Sequence, residues 1–238
     1  KMTCGEVILR ESAMKKFGRT VTIGRTAMLT KPLNGRAPCH YCGPCEQGCT
    51  THSYFNSPTT TVAAAQATGN LTLLTDSIAH QVLIDPKTVK AKGVSYIDRE
   101  TRAPREVLGK VVVLCAQALE STRILFNSAN REYPNGLANS SGVLGHYLMD
   151  HVMGGGAGGV FPSLREKPNF GSRRPNGIYV ARYQNVKNQH PDFIRGYGFQ
   201  GGAGPRMNTN ALGIGKAYKE AVKDGIYGVS LGGFGECL

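Results

Sequence analysis

The sequence predicts a mixed α/β (α+β) fold in two parts, and three observations carry that reading. Residues 110–115 form an unbroken apolar run containing Val111, Val112, Val113 and Leu114, and helical spacing follows from Ala118 to Phe126. That order, buried strand then tight turn then helix, is the signature of a parallel-sheet unit. Ahead of it lie segments of period two, and after His151 the composition shifts toward glycine, so a domain boundary is expected near residue 152. The two parts are then residues 1–151 and 152–238.

Taken in order, residues 1–38 read as irregular or short elements. Thr20, Val21, Thr22 and Ile23 are strand-like, but Pro32, Gly35 and Pro38 punctuate the stretch after them. A cysteine-bearing loop comes next. Ser57-Pro58-Thr59 sets up a helix start and Val62 to Ala67 has the alanine-rich composition of its body, ending at Gly69. Residues 71–74, 81–84 and 93–97 alternate apolar and polar, which predicts a small antiparallel ribbon turning at Asp85-Pro86. The run at 110–115 lacks alternation, as expected of a strand covered on both faces, and Leu119, Ile124 and Leu125 are apolar positions of the helix after it. Glycines 154–159 read as a turn or crossing point, with candidate strands at 177–181 and 193–199.

Composition narrows the function classes. The chain is 40% hydrophobic and 18% charged, enough apolar material for a packed core and unlike a disordered segment. The net charge of +12 comes from scattered Lys and Arg with no run of five or six, so it reads as solvated surface and no nucleic-acid partner is expected. No apolar run reaches the roughly 18 to 20 residues of a membrane span. The first residue is Lys1, and the last four, residues 235–238, follow glycines without a closing element, so the chain reads as an internal piece.

Four of the seven cysteines fall inside eleven residues, Cys39, Cys42, Cys45 and Cys49, with Cys4, Cys115 and Cys237 far apart. Close-set thiolates on one loop suit an iron–sulfur cluster, whose several irons each take their own ligand. Zinc more often takes two separated pairs, and disulfide frameworks spread their bridges, though both chemistries stay open on spacing alone. Four ligands fit a 4Fe-4S cluster, and three at 39, 45 and 49 fit a 3Fe-4S one. Thr50 stands where the bacterial ferredoxin run has proline. Gly154, Gly156 and Gly159 match the dinucleotide fingerprint in form only, since no buried strand precedes them and Pro162 follows. His146 and His151 are five apart, not the four of a metal-binding helix, and read as structural. Nothing in the sequence has the pattern of a hydrolase or kinase loop.

Three ordered stretches together resemble the glucose–methanol–choline (GMC) oxidoreductases, in particular the bacterial branch of gluconate, fructose and glucose dehydrogenases. The first runs from Gly35-Arg36 through the cysteines to Tyr54-Phe55-Asn56 and Ser57. The second joins residues 70–94 to 111–128. The third is Gly145 to His151 with residues 176–182 and 195–202.

The resemblance implies a partial FAD-binding, Rossmann-like domain over 1–151 and part of an antiparallel-sheet substrate domain over 152–238. It implies that the backbone near Ala79 faces the adenine and that Ala116, Gln117 and Ala118 form the turn near the pyrophosphate. Gln117 departs from the family, which has glycine there. It also implies that Cys39, Cys45 and Cys49 hold a three-iron cluster, leaving Cys42 without a counterpart.

For the whole protein the resemblance implies oxidation of a CH–OH group of a sugar, sugar acid or alcohol. A histidine takes the alcohol proton, hydride passes to flavin N5, and electrons leave through the cluster to a cytochrome or quinone-linked acceptor subunit. Relatives in this branch are often periplasmic or membrane-associated through partner subunits. The N-terminal Gly-x-Gly-x-x-Gly unit and the catalytic histidine pair have no match in these residues, so no catalytic residue is assigned. The piece alone is expected to be inactive and poorly soluble. An iron–sulfur electron-transfer module without flavin is the alternative from the residues alone.

Overall fold

A computed structural model describes residues 2–42, 45, 48–165, 176–206, 213–223 and 225–236. Cys237 lies outside them. The chain divides into two compact units, residues 1–69 with 150–238, and residues 70–149. Both are built on antiparallel sheet, and among the described residues no helix is long and apolar enough to cross a membrane.

The first unit opens on helix α1 (Cys4–Phe17), where only irregular structure or short elements were expected. Its start is a capping box: the Thr3 hydroxyl accepts from Glu6 N–H at 3.1 Å, and Glu6 Oε2 accepts from Thr3 N–H at 2.8 Å. Gly18 ends it with φ of 61°. Thr3 and Glu6 with Gly18 are visible in the sequence, but α1 has little apolar periodicity, which is the signal that sequence reading relies on.

α1 packs on a five-stranded sheet of order β1-β6-β7-β8-β5, formed by β1 (Val21–Ile23), β5 (Val152–Val160), β6 (Ile178–Val180), β7 (Tyr197–Arg206) and β8 (Ile226–Gly235). Every neighbouring pair is antiparallel. Val21, Ile178 and Val180 form the buried centre, and Met2, Leu9, Ala13, Phe199 and Leu231 close over it. Gly5 lets the helix seat closely, since a Cβ there would lie 2.7 Å from Tyr227 Cε1 and 2.8 Å from Ala203 Cβ. The Thr3 hydroxyl donates to Ala203 C=O at 2.7 Å and fixes the same contact.

β5 corrects the expectation for glycines 154–159. They make neither a turn nor a crossing point but most of a nine-residue strand paired to β8. Sheet pairing needs only backbone, and β8 offers Gly228, Gly232 and Gly235 in register with it. β6 and β7 lie close to the strands expected at 177–181 and 193–199, with β7 displaced toward its C-terminal end. β8 is a long closing strand that the glycines near the end had concealed. α4 (Lys216–Lys223) precedes it. The alanine-rich helix is present as α2 (Ala63–Ala67), entered through one π-helical turn at Pro58–Val62.

The second unit holds the expected ribbon as β2 (Ser77–Ile84), β3 (Ala91–Asp98) and β4 (Pro104–Leu108), an antiparallel meander of order β2-β3-β4. Residues 71–74 are not part of it. Helix α3 (Gln117–Asn127) packs on β2 with Ile124 1% exposed. The expected core strand at 110–115 is corrected as well. Among the described residues no strand pairs with it, and Val111 and Val113 are 79% and 75% exposed. A strand needs a neighbour to pair with, and the described residues supply none to this run.

Candidate functional site

Residues Ala79, Ala116, Gln117 and Ala118 all belong to the unit of residues 70–149, where Arg123, Asn127 and Ser128 clip α3 and its C-cap to β2. Arg123 Nη2 donates to Ala79 C=O at 3.0 Å, and Asn127 Nδ2 to His80 C=O at 3.2 Å. Ser128 Oγ accepts from Val82 N–H at 2.8 Å and donates to Ile124 C=O at 2.6 Å. The register of β2 with β3 shifts between Ala79 and Gln81, a β-bulge at the residues that Arg123 and Asn127 contact. These contacts tie the second half of α3 and its C-cap to the bulge and the residues after it. Sequence reading named Ala79 and passed over Arg123, whose contact with it spans 44 residues.

At the start of α3, Ala116 supplies no side-chain cap and Gln117 has φ of 56°. Gln117 and Ala118 are exposed. An exposed helix start beside a left-handed residue admits approach of an anionic group to those backbone N–H groups that no side chain caps. Backbone N–H groups beside a left-handed residue are chemistry that suits a phosphate, and residues 116–118 are the turn that would offer them. Ala79 C=O is already committed to Arg123, so an adenine beside β2 would be met by other atoms of the bulge.

The cysteines belong to the other unit. Their loop is tied at its base, where Leu29 N–H donates to Ser53 C=O at 3.0 Å, Phe55 N–H to Ala27 C=O at 2.9 Å and Cys39 N–H to Leu29 C=O at 2.9 Å. All six described cysteines are free thiols, Cys42 exposed and Cys39, Cys45 and Cys49 half-buried. Burial pushes the Cys45 thiol up, and the charges of Cys39, Cys42 and Cys49 push the same way, so Cys45 feels all three.

Cys49 moves oppositely. Burial raises it, but hydrogen bonds from the Ser53 and Thr51 hydroxyls and from the Tyr54 and Ser53 backbone outweigh that and bring it down to about 6. The hydroxyls and Tyr54 N each stand 3.5 Å from its sulfur. Thr51 and Ser53, two and four residues after Cys49, are the signal the sequence carried for this. Among the described residues no three His, Cys, Asp or Glu side chains are grouped so as to hold a metal ion. Thiols are the donors that iron–sulfur clusters take, but the described cysteines are not brought together as a metal site. His146 and His151 lie against the rings of Tyr147 and Phe234 respectively.

Residues 22–153, more than half of the chain, match the family model described as GMC oxidoreductase. The chain belongs to the GMC oxidoreductase family. This family binds FAD, and the α3 start and β2 bulge both fall inside the matched range. The chain is 33% identical over 176 residues to 2-methyl-1,2-propanediol dehydrogenase from Mycolicibacterium austroafricanum, covering 73% of the chain and 30% of that protein. It is 25% identical over 138 residues to the fructose dehydrogenase large subunit from Gluconobacter japonicus, covering 58% of the chain and 25% of that subunit. The chain thus spans under a third of the length of these GMC relatives.

Proposed function

We propose that the chain is part of an FAD-dependent oxidoreductase acting on CH–OH groups of sugars, sugar acids or alcohols. The observation that carries this is the family match over residues 22–153, supported by relatives named for oxidation of a diol and of fructose. In this reading residues 1–151 supply a partial, Rossmann-like FAD-binding domain and residues 152–238 part of the substrate domain. Ala79, Ala116, Gln117 and Ala118 line the ADP half of the cofactor. Bound flavin supplies the hydride acceptor. The chain's own residues position it: Arg123 holds the bulge against α3, and the turn at 116–118 presents N–H groups to negative charge.

The test is the absorbance of the full-length protein. A flavin spectrum that bleaches anaerobically on adding a sugar or alcohol is expected, and a purified protein with no flavin band, neither gaining one with added FAD nor responding to substrate, would sink the reading.

A second reading concerns the cysteines. Cys39, Cys45 and Cys49 hold a 3Fe-4S cluster, or all four cysteines a 4Fe-4S one, that passes electrons to an external acceptor, with a cytochrome or quinone-linked subunit as the partner. Support comes from the charges that Cys45 feels from its three neighbours and from the stabilised Cys49 thiolate. Loading would have to draw the loop together. Iron and sulfide assays with electron paramagnetic resonance on anaerobically purified protein test this. Iron without flavin would favour the simpler alternative, an iron–sulfur electron-transfer module.

A further inference from the structure

Gln117 occupies a backbone conformation that suits glycine, with φ of 56°. Its side chain is exposed but folds back on the helix. Gln117 Oε1 turns back and accepts from Leu119 N–H at 2.9 Å. The preceding residue, Ala116, has no oxygen to offer as a cap and makes no side-chain cap hydrogen bond. The one acidic residue of the first turn, Glu120, is held by Arg123 at 2.7 Å. The carboxamide oxygen of Gln117 is thus the acceptor that serves Leu119 N–H.

An oxygen of the cofactor's pyrophosphate bound at this helix start would meet the same N–H. We infer that Gln117 is an internal cap that competes with the dinucleotide pyrophosphate and weakens this protein's hold on FAD. The inference rests on the FAD reading above and adds a determinant of affinity to it. Cofactor binding would require the Gln117 side chain to swing out, and the exposure of residues 117 and 118 leaves it room to do so.

Two effects separate cleanly. The left-handed backbone is present with or without cofactor, so relieving it changes the stability of the protein but not its affinity. The side-chain cap is lost only when cofactor binds, so removing it changes affinity. Full-length protein stripped of flavin, titrated with FAD by fluorescence quenching and with ADP by calorimetry, reads the second effect. Thermal melts without cofactor read the first.

Gln117→Ala and Gln117→Gly should both tighten FAD and ADP about fivefold, the scale of one helix cap. Gln117→Ala should melt below the parent without cofactor, having lost the cap and kept the strain. Gln117→Gly should melt above Gln117→Ala. Gln117→Glu, which keeps a cap and adds a charge facing the phosphates, should weaken both ligands. Unchanged or weaker binding by the Ala and Gly variants, with the parent binding normally, overturns the inference alone. Failure of parent and variants alike to bind either ligand overturns the FAD reading and the inference with it.

Discussion

Residues 110–115 and strand β5 have opposite strand chemistry and opposite fates. The first has three valines and a leucine in a row, a composition that packs well on a pleated surface. The second has five glycines among nine residues, a composition that weakens a strand. Yet β5 pairs with β8 from Val152↔Gly235 to Val160↔Gly228, while 110–115 has no ladder among the described residues. The difference lies in the partner. β5 meets a long strand whose own glycines, such as Gly232 opposite Gly156, let two backbones lie close. Strand formation here follows an available edge first and side-chain preference second.

The strongest way to break that comparison is to put a side chain where the backbones are closest. Gly201 of β7 stands between Ile178 of β6 and Leu231 of β8, and a Cβ there would lie 1.9 Å from Ser230 C=O. Gly201→Val should cost roughly 3 kcal/mol or prevent folding, because the obstacle is backbone and cannot rotate away. Denaturant melts measure this, and a wild-type midpoint would mean that the β7–β8 register is wrong.

In the other unit the partners are hydrogen bonds. Ser128→Ala leaves the Val82 N–H buried without its acceptor and should cost about 1–3 kcal/mol. The Val82 amide should also lose most of its protection in hydrogen exchange. A smaller contrast lies within β5 itself. Gly156→Val meets Leu231 C=O at 2.8 Å, whereas Gly155→Val meets nothing within 4 Å. The first should destabilise by about 1 kcal/mol and the second by less than about 0.5. Equal melts would show that glycine in β5 matters for composition and not for close approach.

The parts that the sequence made legible share one property: their partners are near in the chain. The ribbon β2–β4 closes through two short turns, and α2 and α3 show their own spacing. α3 even lies where a strand-turn-helix reading put it. What stayed hidden depends on distance. Thr3 donates to Ala203 across 200 positions, and β1 joins β6 by pairing Val21 with Val180. In the candidate site the division is by kind of contact, not by distance. Four cysteines in eleven residues announce themselves, but the Gln117 cap and the Arg123 tie to Ala79 are contacts that no spacing displays.

Cys49 extends the lesson from folding to reactivity, since its neighbours and not its residue type set its ionisation. With the thiol held down to about 6, its alkylation by iodoacetamide in the metal-free protein should rise through pH 6 and level off above it. The exposed Cys4 and Cys115 provide the internal reference, followed by mass spectrometry of each peptide. Ser53→Ala should move the Cys49 midpoint upward, because one donor to the thiolate is gone. A midpoint unchanged by that substitution would assign the stabilisation elsewhere.

The smallest expected effect returns to residues 110–115. Their exposure alternates, with Val111, Val113 and Cys115 exposed and Val112 and Leu114 half-buried. A strand covered on both faces would show no such alternation. Val111→Asp with Val113→Asp should therefore change the stability of this chain by less than about 0.5 kcal/mol, since neither valine leaves a buried place. Val112→Asp or Leu114→Asp should cost more, each carrying a charge into a partly covered position. If the outer pair proved as costly as the inner one, the run would have to be covered on both sides. The contrast with β5 would then dissolve, because both segments would have found their partners.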